Sequence, residues 1–151
     1  MFRSRAASPV PYWYSEKIMG ECVLAGSTIL VVEDEEQVRT LVARLLEKRG
    51  HRVLQAGNGR QALELVRDRI HEIALVITDM VMPEMGGTSL LRELRHLRSA
   101  LPALCMTGYS QEEVASSDGL HDVVLIEKPF TAAAFLERVD RLLNEGASSS
   151  A

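Results

Sequence analysis

The sequence is poor in cysteine and has no long apolar run. Its two cysteines, Cys22 and Cys105, are too few for a disulfide framework, so we expect a reducing, cytoplasmic setting. Cys105 lies in an apolar stretch and is expected to be a small core residue. No run of about 18 apolar residues occurs, which argues against a membrane-spanning helix. Arginines near the N-terminus are not followed by an apolar segment, so a signal peptide is not expected.

Net charge and composition indicate which class of protein this is. The net charge of -4 does not favour direct binding to nucleic acid. The chain has 151 residues, of which 46% are apolar and 25% charged, as in an ordinary soluble domain. We therefore expect one globular domain that contacts neither nucleic acid nor a membrane.

The chain divides into three stretches. Residues 1–27 lack any apolar period and contain two prolines, which predicts a poorly ordered leader. The cluster Tyr12-Trp13-Tyr14 within it fits either a remnant ahead of a true start at Met19 or a docking segment. Residues 28–145 form the predicted domain, and residues 146–151 a flexible tail.

From Thr28 onward, short apolar runs alternate with segments of helical period. We predict strands at 28–32, 51–56, 73–78, 101–106 and 122–126, and helices at 36–49, 58–70, after Gly87, around 111–116 and at 131–144, the last closed by Gly146. This alternation predicts an α/β fold with a parallel sheet covered on both faces. Helical spacing puts several side chains on the buried faces of two helices, namely Val38, Leu41, Val42, Leu45 and Leu46, and then Leu90, Leu91, Leu94 and Leu97, with Arg92, Arg95 and Arg98 outward.

Polar residues follow four of the predicted strands. Glu33 and Asp34 follow the first strand and Asp79 the third, while Thr107 and Lys128 follow the fourth and fifth. Each has an ordinary explanation as a helix-end charge, a turn or a solvated side chain. In a parallel sheet, however, these strand ends meet at one edge, where ligands bind in open α/β folds.

The chemistry of this group favours phosphoryl transfer. Three neighbouring carboxylates repel one another, and a lysine with one Mg²⁺ would balance their charge. No His or Cys belongs to this group of strand-end residues, which argues against a zinc site. A carboxylate can accept a phosphoryl group as a nucleophile, with Thr107 and Lys128 contacting the phosphoryl oxygens.

Four motifs carry a family resemblance: Ile29-Leu-Val-Val-Glu-Asp-Glu-Glu36, Thr78-Asp-Met-Val-Met-Pro-Glu-Met-Gly-Gly87, Met106-Thr-Gly-Tyr-Ser110 and Glu127-Lys-Pro-Phe130. The sequence resembles the receiver domains of two-component response regulators, chemotaxis-regulator-like, from about Thr28 to Asn144. The resemblance implies a flavodoxin-like, doubly wound sheet of order 2-1-3-4-5 with five helices.

The resemblance also implies roles for the residues at the strand ends. Asp79 would be the phosphoacceptor, aided by Thr107 and Lys128. Mg²⁺ would be held by Asp34, Asp79 and the backbone carbonyl of Val81, with Glu33 acting mainly through water. The Lys128-Pro129 bond would be cis.

One departure concerns position 125, where the family usually has an aromatic residue and this chain has Leu125. We expect that signalling here does not use aromatic rotation, and that phosphorylation draws Thr107 and the loop after it toward the site. Tyr109 is expected to wall the acidic pocket, and Val81 and Tyr109 to shield the phosphoryl group from water.

Two alternatives are weaker. A dehalogenase-type phosphohydrolase needs an acid two residues after the nucleophile, where Val81 stands. A receiver-like module that is never phosphorylated would normally lack one of the acidic or lysine residues.

The resemblance implies a histidine kinase or phosphotransfer protein as partner, with Val38, Arg39, Val42 and Pro129 as candidate contacts. The resemblance also allows a homodimer through the fourth helix, fifth strand and fifth helix. The chain would be a stand-alone receiver or part of a larger regulator or hybrid kinase.

Overall fold

A computed structural model describes residues 26–82, 84–108 and 123–150. Within these ranges the elements follow one another as β1 (Thr28–Val32), α1 (Glu36–Lys48), β2 (Arg52–Ala56), α2 (Gly59–Val66), a 3-10 turn (Ile70–Glu72), β3 (Ile73–Asp79), α3 (Gly87–Leu97), β4 (Ala103–Thr107), β5 (Val124–Glu127) and α4 (Ala132–Ser150).

The five strands form one parallel sheet in the order β2-β1-β3-β4-β5. This confirms the predicted fold class and strand order. Four of the five predicted helices are found, with the predicted final helix corresponding to α4. The helix expected around 111–116 lies outside the described residues.

The core consists of two apolar layers, one on each face of the sheet. Successive side chains of a strand point to opposite faces, so Ile29 and Val31 pack with α1 and α4, whereas Leu30 and Val32 pack with α2 and α3. Covering both faces explains why β1, β3 and β4 read as continuous apolar runs.

Local sequence signals set several helix ends. Gly50 follows α1 with φ of 89°, and the N–H groups of Gly50 and His51 donate to the carbonyls of Glu47 and Leu46. The side chain of Asn58 accepts from the N–H of Gln61 at the start of α2, and Thr131 accepts from the N–H of Ala134 before α4. The predicted helix bounds at 49, 58 and 131 lie within one residue of these observed ends.

Some predicted side-chain positions are wrong. Leu41 is 58% exposed, because the buried stripe of α1 is narrow and runs through Val42, Ala43 and Leu46. Leu97, at the end of α3, is 43% exposed. Arg95 and Arg98 are half-buried rather than fully outward, since their guanidinium groups donate to backbone carbonyls at Leu101 and at Ile70 and Ile73 respectively.

Two helix boundaries also differ from the predictions. Helix α2 ends at Val66, and the chain then turns through the segment that Arg98 binds. Helix α4 passes Gly146 and continues to Ser150, because one glycine costs only about 1 kcal/mol and no proline follows it. Among the helices of the described ranges, none is long and apolar enough to cross a membrane.

Candidate functional site

Three carboxylates meet at the carboxyl edge of the sheet. Glu33 directly follows β1 and Asp79 ends β3, and these two strands are neighbours. Ligand oxygens of Glu33, Asp34 and Asp79 all lie within 4.8 Å of one another. Glu33 and Asp79 are buried, whereas Asp34 is exposed, so the cluster opens to solvent on the side of Asp34.

Lys128 bridges two of these carboxylates. Its Nζ lies 3.1 Å from Asp79 Oδ2 and 3.3 Å from Glu33 Oε1. The Lys128-Pro129 peptide bond is cis, as predicted. The backbone N–H of Lys128 also donates to the carbonyl of Thr107 at 2.7 Å, which ties the ends of β4 and β5 together.

Burial shapes the electrostatics of the cluster. Desolvation is the main reason that the pKa of Glu33 rises to about 7, although the N–H of Glu35 donates to its Oε2 at 3.1 Å and Lys128 is close. Burial alone would lower the pKa of Lys128, but the bond to Asp79 and the charge of Glu33 raise it overall. The charge of Asp79 also raises the pKa of Glu33, so a cation entering the cluster would offset this repulsion.

The loop after Asp79 is packed against the strand that carries it. The N–H of Gly87 donates to the carbonyl of Met80 at 3.0 Å, and the N–H of Met80 donates to that of Met106 at 3.1 Å. A Cβ at Gly87 would collide with the carbonyl oxygen of Asp79. Glycine at this position therefore lets the start of α3 approach the acidic site.

The other predicted residues have different positions. Thr107 is buried at the end of β4, next to the strand that carries Asp79. Val81 is 62% exposed in the following loop, and Leu125 is buried in the core. Tyr109 lies outside the described residues. The predicted roles of Thr107 and the Val81 carbonyl stay predictions.

Two of the four residues expected to contact a partner make contacts within the domain. Val42 is 1% exposed, so it is a core residue and the expectation that it contacts a partner is wrong. Arg39 donates from Nη1 to the carbonyl of Glu33 at 2.8 Å. Sequence reasoning missed this bond, because nothing in the local pattern indicates that an arginine on α1 reaches back to β1.

The donor set suits a hard divalent cation. All candidate ligands in the cluster are carboxylate oxygens, which Mg²⁺ prefers, and the exposed Asp34 leaves access from solvent. The residues therefore fit a magnesium site.

Comparison with known proteins agrees with this geometry. The family model described as the response regulator receiver domain matches residues 29–140. The chain belongs to the response regulator receiver family. Receivers bind Mg²⁺ at an acidic pocket and interact with histidine kinases or phosphotransfer proteins.

Relatives place similar receivers in different settings. The chain is 37% identical over 117 residues to the sensor kinase CckA of Brucella abortus, covering 76% of this chain but only 12% of the kinase. It is 30% identical to the response regulator receiver protein CpdR of the same organism, covering 76% of this chain and 95% of CpdR.

A solved structure supports the fold. The CheY-like receiver from Methanospirillum hungatei JF-1 superimposes with a TM-score of 0.75 at 25% identity, covering 83% of this chain and 99% of that one. Receiver membership thus has support from both sequence and structure.

Proposed function

We propose that this receiver accepts a phosphoryl group on Asp79 from the phosphohistidine of a histidine kinase or phosphotransfer protein. The observation that carries the proposal is the contact of Lys128 with both Asp79 and Glu33, within a cluster of three carboxylates. Both Glu33 and Asp79 contact the lysine, but of the three carboxylates only Asp79 belongs to a strand, as the last residue of the central strand β3.

In the proposed transfer, a carboxylate oxygen of Asp79 attacks the phosphorus atom. The new P–O bond forms as the P–N bond to the donor imidazole breaks, and the leaving nitrogen keeps the electron pair and takes up a proton. Lys128 stabilises the negative charge on the phosphoryl oxygens, and the Thr107 hydroxyl donates to one of them. The reaction therefore depends mainly on positioning and electrostatics.

Mg²⁺ would be held by Asp34, Asp79 and the carbonyl of Val81, where it would neutralise charge on the carboxylates and the phosphoryl oxygens. Glu33 is proposed to act through water. In support, its two carboxylate oxygens already contact Lys128 and the N–H of Glu35.

The protein context is also a proposal. The match to nearly all of CpdR favours a stand-alone receiver, and the match within CckA favours a piece of a hybrid kinase. In either case we propose that phosphorylation alters the face that includes β5 and α4, which then binds a partner or a second copy of the chain.

The direct test is incubation with acetyl phosphate and Mg²⁺, followed by intact-mass measurement. The wild type is expected to gain one phosphoryl group. Asp79→Asn is expected to gain none, because the amide is not a nucleophilic carboxylate.

A matched control is Glu84→Gln, which removes an exposed acidic group from the loop after Asp79. It should be phosphorylated like the wild type. An unmodified wild type in the presence of Mg²⁺, or a mass gain that persists in Asp79→Asn, would contradict the proposal.

A further inference from the structure

Arg39 has an unusual position for a cation. It lies in the first turn of α1, and its backbone N–H donates to the carbonyl of Glu35. The N-terminus of a helix carries partial positive charge, so an arginine there is electrostatically unfavourable. Side chains on a helix lean toward its N-terminus, however, and this lets Arg39 reach back over the turn that follows β1.

The guanidinium group holds the peptide on which the acidic pair depends. Arg39 Nη1 donates to the carbonyl oxygen of Glu33 at 2.8 Å. That carbonyl belongs to the peptide group joining Glu33 to Asp34, so its orientation helps to fix the backbone position of the exposed Asp34. The same Nη1 lies 3.5 Å from where a Cβ at Gly57 would stand, which places it beside the turn between β2 and α2.

Two further bonds fix the same turn. The N–H of Glu33 donates to the carbonyl of Ala56 at 3.1 Å, and the N–H of Glu35 donates to Glu33 Oε2 at 3.1 Å. These bonds hold the N–H and the side chain of Glu33, while Arg39 holds its carbonyl. Arg39 is thus the side chain that completes the anchoring of this residue.

We infer that Arg39 is a positioning residue that holds the Glu33–Asp34 turn in the geometry needed to bind Mg²⁺. The inference rests on the proposed function, since it concerns the same metal site. For Mg²⁺ affinity, this positioning role predicts the opposite change from the one expected from the charge of Arg39 alone. Removing a cation near a carboxylate cluster should strengthen Mg²⁺ binding through electrostatics alone, whereas loosening the turn should weaken it.

The test is calorimetric titration of the full chain with MgCl₂, comparing wild type, Arg39→Met and Arg44→Met. Arg44 is an exposed arginine on the same helix, so its replacement makes the same charge change away from the Glu33 carbonyl. We expect Arg39→Met to bind Mg²⁺ about tenfold more weakly, the loss typical when a group that orients metal ligands is removed. Arg44→Met should bind as the wild type does or slightly more tightly.

A second readout needs no metal. In the metal-free protein, the amide hydrogen of Glu35 should exchange faster in Arg39→Met than in the wild type, because the turn that shelters it is less fixed. If Arg39→Met does not fold, Arg39→Ala, which also lacks a donor and favours a helix, takes its place in both measurements with the same expected results.

The possible outcomes separate the two proposals. Unchanged or tighter Mg²⁺ binding by the Arg39 variant, beside a wild type that binds Mg²⁺ and is phosphorylated, overturns the positioning role alone. A wild type that neither binds Mg²⁺ nor gains a phosphoryl group overturns the proposed function. Weaker binding together with faster Glu35 exchange supports the inference.

Discussion

At the scale of single residues, burial distinguishes carboxylates that look alike in the sequence. Asp34 is exposed, Asp79 is buried beside Lys128, and Glu33 is fully buried with a raised pKa. The exposed acid is suited to meet an arriving cation. The buried acids are suited to hold fixed hydrogen bonds, because their charged forms depend on partners.

Val81 yields a prediction at the same scale. Its side chain is 62% exposed and apolar, two residues after Asp79, so it offers no hydrogen bond to an attacking water. We expect Val81→Asn to shorten the phosphoryl lifetime several-fold, because an amide can orient that water. The measurement is intact mass over time after acetyl phosphate is removed.

The control for this comparison is Leu97→Asn, which changes an exposed apolar residue at the far end of α3. Its lifetime should match that of the wild type. A longer lifetime in Val81→Asn would refute the shielding role.

At the scale of elements, the ends of β4 and β5 are joined. The carbonyl of Thr107 accepts a hydrogen bond from the N–H of Lys128, so a displacement of one strand end would move the other. Further back on β5, Leu125 is buried and its carbonyl accepts from Arg138 of α4 at 2.5 Å. Because the Leu125 side chain is packed in the core and is not aromatic, we expect movement at the strand ends rather than side-chain rotation at position 125.

We therefore expect phosphorylation to displace Thr107 and the loop that starts there. Phosphoryl oxygens on Asp79 would attract the Thr107 hydroxyl, and such a shift would bias a two-state element. Structures of the free and beryllofluoride-bound protein would measure the displacement. Superimposable positions for residues 107–111 in the two states would rule the mechanism out.

At the scale of the whole molecule, His51 links the pH to stability. It is buried at the turn between α1 and β2, and neither ring nitrogen has a hydrogen-bond partner within the described part of the chain. Burial lowers its pKa below the ordinary 6.5, Asp140 opposes this and Arg49 adds to it. The unfolded chain thus binds the proton more readily than the folded one.

The sign of the effect follows from this difference. The contribution of His51 to stability is fully present above about pH 6.5 and is lost as the pH falls through the lower folded pKa. Denaturant unfolding of wild type and His51→Leu at several pH values between 7.5 and 5 would measure it (roughly the range in which an ordinary histidine titrates). The free energy of unfolding of His51→Leu, relative to that of the wild type, should increase toward acid pH.

Other groups titrate in the same range, but they are common to both proteins. The raised pKa of Glu33 makes its contribution fall as the pH rises from 4.5 to about 7, and this cancels in the difference. A stability difference that does not vary with pH would show that His51 is not the titrating group.

Much of the molecule follows from its sequence, because the signals involved are local. The apolar runs of β1, β3 and β4 record burial on both faces of the sheet, and Gly50, Asn58 and Thr131 mark helix ends through short-range bonds. The acids, threonine and lysine at the strand ends could be predicted to converge, since parallel strands share one edge.

Tertiary structure alone decided the contacts between distant segments. It set which carboxylates Lys128 reaches, which arginines turn inward to backbone carbonyls, and that Arg39 holds the turn after β1. It also exposed Leu41 and buried Val42, although both are apolar neighbours on α1. Periodicity gives the direction of a side chain from its helix, but burial and partner choice depend on what the rest of the chain brings to that side.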